Sequence, residues 1–375
     1  MNRNVLIAIF VAVIVVVAAV AAALILSQDN DNQGSGTVYY LTVAPKDMRA
    51  TLANGQIDAY IAWEPFVSDS VVGEVGEVLE WSDEIMPNHP CCVVAVSNSF
   101  VSSTGGADLT MRFIKAHIEA TEWMNDALVD TDSADYGLLV EMAIKFTQRN
   151  ESVVEAAFEH IEYGYEMNTA FRSALEQFTE MYIETNMTTN ATLTTRGYDG
   201  VEDFIQEYVN DSYVDGVGDI SPSATILNPS DPIRLGYLLG DLHQMAQVVA
   251  QNGSVTGTGK SLFETYGLNV ANATGAPYAN GGAVMTAFAA GAVDIGYLGA
   301  PPAILNHLGA GIGTKIIAQA NSEGSGLVVH ASSGITSLAG LVNMTVATPG
   351  ESSIQFLLLK IALQREGYDL KVKPG

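Results

Sequence analysis

Cysteine is nearly missing from this chain of 375 residues, and the two that occur, Cys91 and Cys92, are neighbours. Adjacent cysteines rarely reach disulfide geometry without a distorted peptide, so the fold is not stapled by disulfides. Cations are scarce as well: Lys and Arg number 16 against 42 Asp and Glu, a formal charge of -26. Such a surface repels phosphate backbones and anionic lipid headgroups, which argues against nucleic acid as a partner. G-x-S-x-G and H-E-x-x-H are both absent and the 6 His are scattered, so no nucleophile or metal site stands out. Gly257-Thr258-Gly259-Lys260-Ser261 only imitates a phosphate-binding loop, because that motif needs a glycine where Ser254 stands and a strand ahead of it. No catalytic residue, metal or cofactor is expected.

What is present describes a folded, exported chain. A hydrophobic share of 48% excludes disorder over the bulk, and the length favours two lobes or two domains. Val5 to Leu26 is an unbroken apolar run, which at about 1.5 Å per residue reaches about 33 Å and covers a bilayer core. Arg3 precedes it and Asp29 and Asp31 follow it, so the expected orientation leaves the N-terminus inside and the rest outside. A retained anchor in the cell membrane is expected; a cleaved signal peptide, with Ala21-Ala22-Ala23 near the cut, is the rival. Asn150, Asn186, Asn190, Asn210, Asn252, Asn272 and Asn343 each open an N-x-[ST] triplet, in keeping with an extracytoplasmic, glycosylated surface.

Beyond a polar linker the chain alternates strands and helices, which predicts mostly parallel sheets covered on both faces. Strands are expected at Val38–Val43, Ala59–Ala62, Ile233–Tyr237 and Val293–Tyr297, and a long amphipathic helix over Asp108–Val129. The Pro-rich stretch 221–232 divides the chain into parts 37–220 and 233–375, after an anchor and linker in 1–36. An internal echo links the two parts. Leu52-x-x-Gly55-x-Ile57-Asp58 followed by Pro65 is matched by Phe288-x-x-Gly291-x-Val293-Asp294 followed by Pro301. Each copy reads as a helix end, a glycine cap and a strand leading to a polar turn. Either two alike lobes follow, or the echo records only a common helix-to-strand junction.

Because ligands of open α/β sheets bind outside the carboxyl ends of strands, the turns there are the candidate site. They hold Trp63 and Glu64 on one side and Tyr297, Gly299 and Ala300 on the other. Ser352 and Ser353 stand at a strand-turn-helix junction suited to an oxyanion, or they merely cap the helix. Asp241 reads as an N-cap with His243 in the first turn, where an imidazole either donates to a ligand or faces solvent. Trp63 suits either an organic solute or core packing, and His89, in Asn88-His89-Pro90, is the weakest candidate. Cys91 and Cys92, leading into Val93–Val96, read as small buried strand residues, with a strained redox pair or metal ligands as the alternative.

Several of these stretches resemble the extracytoplasmic solute-binding proteins of ABC importers, the nitrate, sulfonate and taurine type with the type II periplasmic-binding fold. Ile233-Arg234-Leu235-Gly236-Tyr237, Asp241-Leu242-His243-Gln244, Gly296 to Pro302 and Val346-Ala347-Thr348-Pro349-Gly350 are similar to the opening half of that family. Ile57-Asp58-Ala59, Trp63-Glu64-Pro65-Phe66 and Pro87 to Val93 are similar to its later half. The later half comes first here, and the family would continue past Gly375 into a strand like Val38–Leu41, the pattern of a circular permutation. A truncated tandem or a domain-swapped assembly is the alternative. The resemblance implies an α/β, two-lobed fold, permuted and preceded by one transmembrane helix. One lobe would combine about 233–323 with about 108–208, the other about 325–375 with about 38–88, hinged at strands near Gly326–His330 and Cys92–Val96. It further implies a small anionic or zwitterionic solute between the lobes, ABC permease subunits as partners, and no enzymatic turnover. An enzyme related to pyrimidine-precursor synthases, which share the fold, is the alternative; His89, Cys91 and Cys92 would be its material.

Overall fold

A computed structural model of the chain describes residues 36–374. The expected membrane-spanning run Val5–Leu26 lies outside the described residues, and among those no helix is long and apolar enough to cross a membrane. Among the described residues thirteen strands are named in chain order. They are β1 (Thr37–Thr42), β2 (Ala59–Trp63), β3 (Gly76–Trp81), β4 (Cys92–Ser97), β5 (Ile161–Tyr163), β6 (Ile233–Gly236) and β7 (Val270–Asn272). The rest are β8 (Ile295–Gly299), β9 (Thr314–Gln319), β10 (Asn321–Glu323), β11 (Ser325–His330), β12 (Thr345–Thr348) and β13 (Asp369–Val372). One sheet has six strands in the order β13-β1-β12-β2-β11-β3 and another five in the order β7-β6-β8-β4-β9, with β5 and β10 as a separate ribbon.

Each large sheet draws strands from both parts of the chain. In the six-stranded sheet β1 is sandwiched in parallel between β12 and β13, pairing Tyr39 with Thr345 and Thr37 with Asp369. In the five-stranded sheet β4 runs antiparallel between β8 and β9, pairing Val94 with Tyr297 and with Ala318. The central strands β2 and β4 are buried along their whole length, which is why they read as continuous apolar runs rather than alternating ones. Helices cover them. Gly106–Val129 buries Phe113, Ala116, Ala120, Met124 and Ala127 at three- and four-residue spacing, and Ile354–Arg365 buries Ile354, Leu357, Leu358 and Ala362.

The sequence echo is a real structural repeat. Gly55 and Gly291 close their helices in the left-handed region, at φ 67° and 66°, and β2 and β8 follow at matching places in the two sheets. Asp58 and Asp294 then play one part twice: each carboxylate accepts a neighbouring strand's N–H, Thr345 at 2.8 Å and Arg234 at 2.9 Å. The stretch 221–232 joins two elements of the five-stranded lobe and packs onto it, with Leu227 donating to Gly267 and Asn228 bonding Asp231 and Asn269.

Two expectations need correction. The strand after Gly291 runs from Ile295 to Gly299, and Ala300 to Pro302 begin the helix Ala300–Ala310 instead of prolonging a turn. Proline fits the first helical turn because its missing N–H would have no intrahelical partner there. The chain crosses between the two sheets just ahead of the strands expected to form the hinge. The two crossings, 86–91 and 320–324, run antiparallel and bond each other: Cys91 N to Asn321 O at 3.1 Å, Glu323 N to His89 O at 3.1 Å, and a bridge between Pro90 and Ser322. β4 and β11 are interior strands of their sheets and cannot bend without breaking ladders on both sides.

Candidate functional site

The carboxyl ends of the parallel strands of both sheets face one cavity of about 260 Å³. The six-stranded lobe supplies Thr42 at the end of β1, Trp63 at the end of β2, and the turn after β12, Pro349 to Gln355 without Glu351. The five-stranded lobe supplies Leu238, Asp241 and His243 after β6, Asn280 to Gly282 at the start of the helix Gly281–Ala289, Gly299 at the end of β8, Pro302 in the first turn of the helix Ala300–Ala310, and Cys91 and Cys92. No Lys or Arg is among these lining residues.

Two helices aim their first turns at the cavity from opposite lobes. Ser353 caps Ile354–Arg365, its hydroxyl accepting from Phe356 N at 3.1 Å and donating to Gly350 O at 2.7 Å. Asn280 caps Gly281–Ala289 by accepting from Ala283 N at 3.0 Å. The next N–H groups of each helix have no intrahelical partner, so they are available to an acceptor in the cavity, where the helix dipole favours negative charge. Trp63 adds a third donor: it is 5% exposed, and its indole N–H has no partner among the described residues.

The other wall is a buried polar cluster. Cys91 Sγ lies 3.2 Å from His243 Nδ1, and His243 Nε2 lies 3.0 Å from Gly324 O. A carbonyl only accepts, so Nε2 carries a proton and Nδ1 faces the thiol. Asp241 accepts from His243 N at 3.0 Å and from Gln244 Nε2 at 3.0 Å, and lies 3.7 Å from Cys92 Sγ. Both cysteines reach the cavity despite strand alternation because Cys91 precedes β4, where the pleat has not begun.

These contacts move the ionisations. The hydrogen bond from Cys92 comes first, and with the His243 charge it outweighs burial, holding the Cys91 thiol well below its ordinary range. Burial, and donation to that thiolate, push Cys92 well up, so the two sulfurs share one negative charge. Burial alone would lower His243, yet the Cys91 thiolate and the Asp241 carboxylate overcome it and raise the imidazole to about 9. Desolvation raises Asp241 to about 7.

Of the residues singled out from sequence, Trp63, Asp241, His243, Gly299, Ser352 and Ser353 line this one cavity. The others do not. Tyr297 is mid-strand and wholly buried within its lobe, its hydroxyl 2.9 Å from His117 Nδ1. Ala300 starts its helix and donates its N–H to Cys91 O at 2.9 Å. Glu64 lies behind Trp63, where its carboxylate accepts from Ser68 N at 3.0 Å and Ser68 Oγ at 2.8 Å, and burial raises it to about 7. Its backbone N–H donates to Gly324 O at 2.9 Å and its carbonyl accepts from Leu242 N at 3.3 Å, so it ties the lobes together rather than facing the cavity. His89 sits in the crossing 86–91 between the sheets, its Nδ1 2.8 Å from Met86 O. Sequence reasoning passed over Asn280 and Gln355 and left the cysteines as strand packing. The one usable signal was that both thiols open the strand rather than sit inside it.

Two family models match separate parts of the chain. Residues 23–136 match the NMT1-like family, and residues 270–373 match the family described as ABC transporter, phosphonate, periplasmic substrate-binding protein. No curated protein and no solved structure matches the chain.

Proposed function

We propose, from the premise that the chain resembles the solute-binding proteins of ABC importers of the nitrate and sulfonate type, that it captures a small anionic or zwitterionic solute between its lobes and presents it to permease subunits. The observation that carries this is one cavity walled by strand ends of both sheets, with a helix N-terminus from each lobe and the unpartnered Trp63 indole facing it. A ligand touching both walls holds the lobes together, and that closed surface is what a transporter reads. With no Lys or Arg in the lining, charge recognition falls to backbone N–H groups and the Trp63 indole. That set suits a carboxylate, sulfonate or phosphonate group.

The reading includes an extracytoplasmic placement, held by the segment Val5–Leu26, with sequon asparagines such as Asn150, Asn190 and Asn343 exposed for glycosylation. It also takes the order of the halves as a circular permutation, which the mixing of both halves in each sheet supports. The short Cys91–His243 contact favours one second reading, an enzyme on the same scaffold. Turnover of the captured solute would be its sign, and its absence supports a binding protein.

The test is a calorimetric panel of nitrate, alkyl sulfonates, phosphonates and amino acids. For the member that binds, Ser352→Ala with Ser353→Ala should weaken affinity at least several-fold. Trp63→Phe, which keeps the ring and removes one donor, should cost about 0.5–1.5 kcal/mol, roughly 2–12-fold. Unchanged affinity in both variants would remove these walls from the site.

A further inference from the structure

The cavity wall carries more chemistry than solute capture needs. Cys91, Cys92 and His243 are all buried, and one donor atom from each lies within 4.8 Å of the other two. In a tetrahedral site with metal–sulfur bonds of about 2.3 Å and metal–nitrogen or metal–oxygen bonds of about 2.0 Å, neighbouring donors stand about 3.3–3.8 Å apart. The separations here are 3.2 Å from Cys91 Sγ to His243 Nδ1, 3.6 Å from His243 Nδ1 to Asp241 Oδ1 and 3.7 Å from Cys92 Sγ to Asp241 Oδ2. The support behind the ring has the form seen around metal-bound histidines. His243 gives its far N–H to a backbone carbonyl, Gly324 O, which fixes the tautomer and turns Nδ1 toward the sulfurs. A buried pair of thiols beside an imidazole is also poor packing for an apolar core, and Cys91 and Cys92 are free rather than bridged.

We propose that Cys91, Cys92 and His243 bind one thiophilic metal ion of the Zn²⁺ class at the floor of the cleft, with the fourth position turned to Asp241 and the cavity. Two sulfurs and an imidazole select such an ion over Mg²⁺ and Ca²⁺, which take oxygen donors. That fourth position gives the solute a direct bond: a carboxylate or phosphonate oxygen, or a thiolate sulfur, entering the cavity can take the place of Asp241, whose carboxylate returns to its Gln244 and His243 N–H partners. The proposal goes beyond solute capture, and either can fail while the other stands.

The experiment titrates the reduced full chain with Zn²⁺, and with Co²⁺ as a spectroscopic probe. Expected are one ion per chain and a cobalt–thiolate charge-transfer band that vanishes in Cys91→Ser with Cys92→Ser. Loss of an outer partner typically costs 10–100-fold in metal affinity, so loss of either sulfur should cost at least about 100-fold. No stoichiometric binding, or equal affinity in the double variant, overturns the site. If the double variant fails to fold, the native chain decides: bound Zn²⁺ must protect Cys91, the reactive thiol, from alkylation, and a Cys91 labelled equally with and without Zn²⁺ refutes the proposal. Solute affinity, measured separately on the metal-free chain, reports on capture alone.

Discussion

Gly324→Ala should lower folding stability by roughly 2–4 kcal/mol and abolish the His243 tether. Gly324 sits in the crossing between the lobes at φ 76°, a region where a side chain costs about 1–2 kcal/mol. A Cβ there would collide with His243 Nε2 and stand 2.9 Å from Ile161, so the imidazole must leave its bond to Gly324 O and swing into the cavity it lines. The same residue's carbonyl accepts from both Glu64 N and His243 Nε2, so displacing it loosens the end of β2 and the cavity wall together. Gly55→Ala is the control. Gly55 has φ 67° but nothing within 4 Å of its would-be Cβ, so that variant should lose only the backbone cost. Urea melts of the two proteins measure the difference; equal losses would mean that the approach to His243 does not dictate the glycine.

A second large effect is expected in the reactivity of Cys91. With its thiol held well below the usual range, Cys91 in the metal-free protein should keep its reactivity toward a small alkylating reagent to lower pH than an ordinary thiol does. An ordinary thiol slows about tenfold per pH unit below its pKa. The sign follows from the lowered pKa: reactivity is lost only as pH falls through it. His243→Asn removes the facing cation but leaves the Cys92 hydrogen bond, the larger cause, so the rate below about pH 7 should fall yet stay above that of an ordinary thiol. Mass spectrometry should place the label on Cys91 and not on Cys92, which burial keeps protonated. A pH profile centred near 8.5, the ordinary thiol value, or a rate indifferent to His243, would dismiss the thiolate–imidazolium pair.

The buried strands and amphipathic helices were legible because burial on both faces leaves an unbroken apolar run and burial on one leaves a stripe. Gly106–Val129 starts two residues before the expected Asp108. Three edge strands were not legible. β3, β7 and β13 lie at the rims of their sheets, half-buried or exposed for the most part, so their residues carry no run and little alternation. The helix Phe66–Val72 was missed for a different reason: it is a short element held by tertiary contact, including Arg149 over the Phe66 ring at 5.5 Å.

Sequence by itself determined the acidic surface, the α/β alternation, the doubled helix–glycine–strand unit and the polar turns that end its strands, because each depends on neighbours within a few positions. Which of those turns share a cavity was decided only by tertiary structure. Cys91 and His243 are 152 positions apart, and a strand's own pattern cannot state which loop will lie against it. Tyr297 and His243 both looked like site residues. The pleat of β8 turned one into its lobe's core, while Gly324, from the opposite crossing, held the other against the cysteines.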